Sequence, residues 1–154
     1  MHVLAITYAF SPISAPATFR LLKWFSSLRE RGHSVTVVCV DPASIIAPKD
    51  RSLEQLVPPG INIVHAPSPE TRWYYRLVHP ARSWLLPVFQ PYKREWYRPA
   101  VGAIRRLTLS EFDVVLTCSQ PAICHIIGLW IRQRSGIPWV AYFSDPWTDN
   151  PFEA

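Results

Sequence analysis

The sequence predicts a doubly wound α/β domain, a mostly parallel sheet of about five strands with helices on both faces. Three observations carry that expectation. Short apolar runs of strand length recur along the chain, as in "VLAITYAF" and "HSVTVVCV", the pattern of strands covered on both faces. Amphipathic stretches of helical period lie between several of them, and the joints carry Pro, Gly, Ser and Asp. The 154 residues, 49% hydrophobic and 18% charged, fit one packed domain spanning 1–154 and exclude general disorder.

The elements follow in order. Residues 3–10 form the first strand, and in "SPISAPATF" Ser14 is the expected helix cap with Pro16 in the first turn. In "TFRLLKWFSSLRERG" the apolar Phe19, Leu22, Phe25 and Leu28 recur at every third position and Leu21 and Trp24 widen the stripe. Arg29 and Arg31 complement the dipole of the last turn, and Gly32 is a natural left-handed stop. A second strand covers residues 35–40, and the Pro58-Pro59-Gly60 turn introduces a third at 61–66. "ETRWYYRLVHP" reads as a short helix ended by Pro80. Residues 92–109 read as a longer helix facing inward with Trp96, Val101, Ile104 and Leu107, with Pro99 as a kink or a start. A fourth strand at 113–118, a helix opened by Pro121 and ended near Gly136, and a last strand in "IPWVAYFSD" complete the order.

Composition narrows the function classes. Three cysteines, Cys39, Cys118 and Cys124, cannot all pair within one chain and fit a reducing compartment. The apolar start lacks a basic n-region and reads as a strand rather than a signal peptide, and no run approaches the roughly 18 apolar residues of a spanning helix. A cytoplasmic protein is expected. The five glycines are scattered, so neither G-x-G-x-x-G nor a P-loop can be written from them. Cys118, Cys124 and His125 match no zinc spacing and read as core residues, so no metal and no resident cofactor are assigned.

Ligands of an open parallel sheet bind outside the carboxyl ends of the strands. That rule selects residues 10–17, 118–121 and 144–147 as one rim. Asp145 falls on this rim, where its structural reading is an Asx turn before Pro146. Ser119 and Gln120 read as hydrogen-bonding rim residues or as the cap of the following helix.

These segments also carry a resemblance. "HVLAITYAFSPISAPATFRLLKWFSSLRERGHSVTVV" resembles the opening of family 4 glycosyltransferases of GT-B fold: a strand ending in Tyr-x-Phe-x-Pro, a small-residue loop, an Arg, an amphipathic helix, Arg-Gly-His and a strand. "FDVVLTCSQPAICHIIGLWIRQRSGIPWVAYFSDPWTDNP" resembles the end of the same domain, with Gly-Ile-Pro-Trp-Val and Asp-Pro-Trp. Such enzymes have two Rossmann-like domains around a cleft, and the resemblance maps this chain onto the first, acceptor-side one. It implies retaining transfer from a nucleotide-sugar donor to an acceptor glycan or lipid-linked sugar. It also implies a donor-binding domain from another chain or a further C-terminal region, because no paired donor-binding glutamates have a counterpart here. Ser14, Ala15, Arg20, Ser119, Gln120 and Trp147 are the implied substrate-binding residues and Asp145 the catalytic candidate. The family's Gly-Gly pair is replaced by Ser14-Ala15-Pro16-Ala17, where a Cβ and a missing N–H reduce close contact with an anion.

Charge is concentrated in the middle. Residues 72–106 hold eight basic residues against Glu95, a net of +7, while the whole chain carries +5. Interleaved aromatics suit an anionic membrane interface, with Arg72, Trp73, Arg76, Trp84, Arg94 and Trp96 as the contacting surface, and a peripheral position at the inner face of the membrane. The alternatives are a core-packing helix with a solvated basic face and, less favoured, stacking on single-stranded nucleic acid. A noncatalytic membrane- or partner-binding module, or a truncated remnant, is the alternative for the chain as a whole.

Overall fold

The computed structural model describes residues 1–71, 93–119 and 121–144. Five strands, β1 (His2–Ile6), β2 (Ser34–Val40), β3 (Ile61–Ala66), β4 (Val114–Cys118) and β5 (Trp139–Tyr142), form one sheet in the order β3-β2-β1-β4-β5. Every pairing is parallel. Helix α1 (Pro16–Glu30) joins β1 to β2, α2 (Tyr97–Ile104) precedes β4, and α3 (Ile123–Ser135) joins β4 to β5. The doubly wound α/β fold expected from the sequence is the fold observed, with the sheet wholly rather than mostly parallel.

Alternation along the strands divides the core in two. Val3 and Ala5 of β1 with Val35 and Val37 of β2 pack against Leu21, Leu22 and Phe25 of α1. Leu4 and Ile6 with Val38 and Val40 pack on the other face against Trp96, Ala100 and Ile104 and against Ile127 and Ile131 of α3. The α1 face is built on Thr18, Leu21, Leu22 and Phe25, an i, i+3, i+4, i+7 set. Phe19, expected inside, is exposed: a strict three-residue repeat falls 60° short of a full turn at each step and walks off the buried face.

Several boundaries also move. The apolar run of residues 3–10 combines a strand with its exit: the Thr7 N–H donates to the Val38 carbonyl at 3.1 Å and Tyr8 accepts from the Val40 N–H at 3.0 Å before the chain leaves the sheet. Ser14 does not cap α1. Extended Ala15 is the N-cap with no side-chain bond, Pro16 follows, and the Ser14 N–H is bonded to the Pro48 carbonyl at 2.9 Å. The expected 92–109 helix is, within the described residues, a 3-10 turn over Arg94–Trp96, α2, and a second such turn over Leu109–Glu111. Pro99 lies in the first turn of α2, where an N–H has no intrahelical partner to lose. Beyond the 3-10 turn Pro69–Thr71, the short helix expected up to Pro80 lies outside the described residues.

Helix α3 opens at Ala122, without a side-chain cap, and closes on Gly136 at φ 72°. At its middle Gly128 permits a close approach to the sheet: a Cβ there would lie 2.5 Å from Thr117 Cγ2 and 2.5 Å from the Trp139 indole nitrogen. That contact seats α3 over β4 and β5. Among the described residues no helix is long and apolar enough to cross a membrane.

Candidate functional site

The connections leaving β1 and β4 run to opposite faces, so the carboxyl ends of these adjacent strands define the switch point at which ligands of such sheets bind. The β1 exit is tightly held. Tyr8, Phe10, Ser11 and Ile13 are buried, Thr18 Oγ1 donates to the Ile13 carbonyl at 2.7 Å, and the Asp50 N–H donates to the Pro12 carbonyl at 2.8 Å. Ser14 and Ala15, the expected substrate contacts, are half-buried at the edge of this loop.

Arg20 lies one turn into α1. Its Nη1 donates to the Tyr142 hydroxyl at 2.7 Å, and its Cζ is 5.4 Å from that ring's centroid. Trp24, one turn further, meets the same ring edge-on at 4.6 Å. Arg20, a substrate-binding residue by the resemblance, is therefore fixed to the end of β5, half-buried.

Ser119 is also at the rim, yet only 2% exposed. Its Oγ accepts the Ser144 N–H at 3.0 Å, and its own N–H donates to the Tyr142 carbonyl at 2.9 Å. These bonds join the ends of β4 and β5. The Ser119 hydroxyl thus helps to position the strand ends, and α3 has no side-chain cap. Asp145, Trp147 and Gln120 lie outside the described residues, as do Arg72, Trp73, Arg76 and Trp84.

Two clusters had no signal in local sequence. On the α2 side of the rim the buried Tyr8 hydroxyl donates to Glu70 Oε1 at 2.5 Å and lies 3.3 Å from Ser68 Oγ, and Glu70 pairs with Lys93 Nζ at 2.5 Å. Burial first, then the bond to Glu70, holds the Tyr8 phenol well above its ordinary range, so it remains a donor at any ordinary pH. Lys93 takes a left-handed φ of 46°, an uncommon conformation for a residue with a Cβ. The ion pair therefore clasps the two chain ends that flank residues 72–92.

The second cluster lies between sheet and α3. Thr117 Oγ1 accepts the Trp139 indole N–H at 2.8 Å and lies 2.7 Å from Nδ1 of His125, whose ring packs on Phe143 at 4.3 Å. Burial lowers the His125 pKa, favouring the neutral ring. Burial likewise pushes the Cys39 and Cys118 thiols up to about 12, the nearby Arg20 cation partly opposing this at Cys118, and Cys124 is also raised. All three are protonated near neutrality and unsuited to nucleophilic attack. Among the described residues no group of three or more His, Cys, Asp and Glu comes together.

The sequence and geometry together define a Rossmann-like α/β domain with its polar rim at the β1/β4 switch point. No family model matches the chain, and no curated protein is significantly similar to it. Among solved structures it is similar to the C-terminal domain (residues 78–226) of a hydrogenase from Pyrococcus furiosus, at 15% identity and a TM-score of 0.52, covering 91% of this chain and 89% of that one. At that identity the likeness concerns the fold alone.

The basic surface expected over 72–106 is corrected at one position. Trp96 is 0% exposed, T-stacked on Tyr8 at 5.3 Å, with its indole N–H donating to the Ala66 carbonyl at 3.0 Å. It is a core residue, as its helical phase also predicted, and cannot contact a membrane. Arg94 is exposed.

Proposed function

We propose that the chain is the acceptor-side domain of a glycosyltransferase of the family 4, GT-B type, working with a second domain that holds the nucleotide-sugar. The supporting observation is the meeting of Arg20 and Tyr142, 122 residues apart, at the carboxyl end of β5. Those residues belong to the two separate stretches whose motifs resemble that family. In the proposed reaction an acceptor hydroxyl oxygen bonds to the anomeric carbon while the bond from that carbon to the nucleotide diphosphate breaks. The hydroxyl proton leaves to a base or to the departing phosphate, and Asp145 is the proposed base or acceptor ligand.

Within this proposal Arg20 supplies the rim's positive charge for an anionic acceptor such as a lipid-linked sugar phosphate. Ser119 keeps the ends of β4 and β5 together, and the proposed location is cytoplasmic, peripheral at the inner face of the membrane. The test is titration of the isotope-labelled chain with a polyprenyl-phosphate sugar in micelles, followed by NMR. Expected are shifts at Arg20, Tyr142 and residues 10–17, and an affinity at least about tenfold weaker in Arg20→Ala. Failure of every such acceptor to shift these residues, or unchanged affinity in Arg20→Ala, overturns the acceptor reading. Sugar transfer by this chain alone overturns the need for a second domain.

A noncatalytic module is the second reading, favoured by the exposed arginines of α2 and α3. It predicts membrane binding without any acceptor-dependent response at the rim.

A further inference from the structure

Helices α2 and α3 lie side by side over one face of the sheet, and their outer surfaces differ from the rest of the molecule. Residues 94–106 and 123–135 contain six arginines and one acid, Glu95. Their net charge of +5 equals that of the entire chain. All six, Arg94, Arg98, Arg105, Arg106, Arg132 and Arg134, are exposed.

Apolar groups stand among them. Ile126 and Leu129, three positions apart on the outside of α3, are 47% and 44% exposed, although an outward helix position ordinarily carries a polar residue. Trp130 lies beside them, with Arg134 5.3 Å and Arg105 5.8 Å from its ring centroid. Phe143, also exposed, extends the apolar strip toward the rim by packing on His125 in the first turn of α3. Two aliphatic side chains beside a tryptophan flanked by guanidinium groups make an amphipathic surface: apolar groups to enter the headgroup boundary, arginines to meet anionic headgroups, and an indole suited to the interface between them.

We propose that the outer surface of α2 and α3 is a docking face for an anionic lipid bilayer. Charge complementarity identifies the occupant, because this surface has a net charge of +5 and carries the exposed Ile126 and Leu129. Docking there lays α3 along the membrane, with the Phe143 end of the strip directed to the rim. The inference stands on described residues and holds whether or not the chain takes part in sugar transfer.

Co-sedimentation of the full chain tests it, using vesicles of phosphatidylcholine alone and vesicles also containing phosphatidylglycerol. Binding is expected only to the latter and is expected to weaken with salt. Charge reversal in Arg105→Glu/Arg134→Glu should reduce it by about thirtyfold or more, and Ile126→Ser/Leu129→Ser by about tenfold. These side chains are exposed, and thermal melting verifies that the variants fold. Lys23→Glu/Arg31→Glu makes the same charge change at exposed sites on and just beyond α1 and should have a much smaller effect. Equal loss in that control means a net-charge effect and overturns the proposal. So does full binding by both α3-surface variants with loss in Arg72→Ala/Trp73→Ala, which would transfer docking to residues 72–92. Preferential capture of single-stranded RNA, or lipid-free self-association that the Ile126→Ser/Leu129→Ser pair abolishes, with no vesicle binding, overturns it in favour of those occupants.

Discussion

The two layers that cover the sheet are built differently. On one face α1 buries Leu21, Leu22 and Phe25 and sends Arg20 to the rim, where Tyr142 holds it. On the other, residues 94–106, which include α2, and helix α3 bury Trp96, Ile104, Ile127 and Ile131 and turn six arginines and a strip of apolar side chains outward. Each layer makes an ordinary core on its inner side. Their outer sides diverge because nothing in core packing constrains them, so that is where functional differences can be read. The α1 layer contributes a fixed cation to the rim, and the α2–α3 layer presents a broad amphipathic surface.

The comparison is broken most forcefully in the cores. Trp96→Ala removes a fully buried indole and one of the two hydrogen bonds to the Ala66 carbonyl, which keeps the Asp41 N–H, and is predicted to cost about 3–5 kcal/mol by chemical denaturation. Phe25→Ala, in the opposite layer, is predicted to cost a similar ~3–5 kcal/mol. A loss below 1 kcal/mol for either would show that its layer contributes little to cooperative folding. Next comes Gly128→Ala, for which a methyl would meet Thr117 and Trp139; overpacking predicts a loss of about 1–3 kcal/mol. Increased stability there would contradict the close seat of α3.

Smaller effects sharpen the contrast. Arg20→Met and Tyr142→Phe, alone and together, should show a coupling of about 1 kcal/mol in a double-mutant cycle. Additive losses would mean that the rim cation is not held by β5. The smallest effect is that of His125, whose pKa burial depresses below the unfolded imidazole value of about 6.5. A depressed pKa gives a contribution that is complete above the unfolded value and is lost as pH falls through it toward the folded one. His125→Gln should flatten that part of the stability-versus-pH curve, and an unchanged curve would assign the acid sensitivity to other groups.

Much of the fold was legible because its signals are local. Strand β3 begins and ends where a turn and an apolar run predicted, and Gly136 stops α3 where expected. Helix faces were less secure: Phe19 looked inward under a three-residue repeat that the 3.6-residue period does not sustain. At the site, the rim followed from the ends of the strands and Arg20 from the family resemblance, whereas the bonds of Ser119 could not be read. Its bond to Ser144 depends on the register of β4 with β5. The Tyr8–Glu70–Lys93 clasp was invisible for the same reason, since Tyr8 and Glu70 are 62 residues apart and no periodicity links them.

The bond between Arg20 and Tyr142 also sets a schedule. Its partners belong to the first helix and the last described strand, so forming it closes nearly the whole described chain into a loop, the kind of contact whose entropy must be met late in folding. A chain emerging from synthesis can assemble β1, α1 and β2 while Arg20 still lacks this partner. The Arg20 side chain is locked in place only when β5 arrives, making the geometry of the rim a product of completed folding.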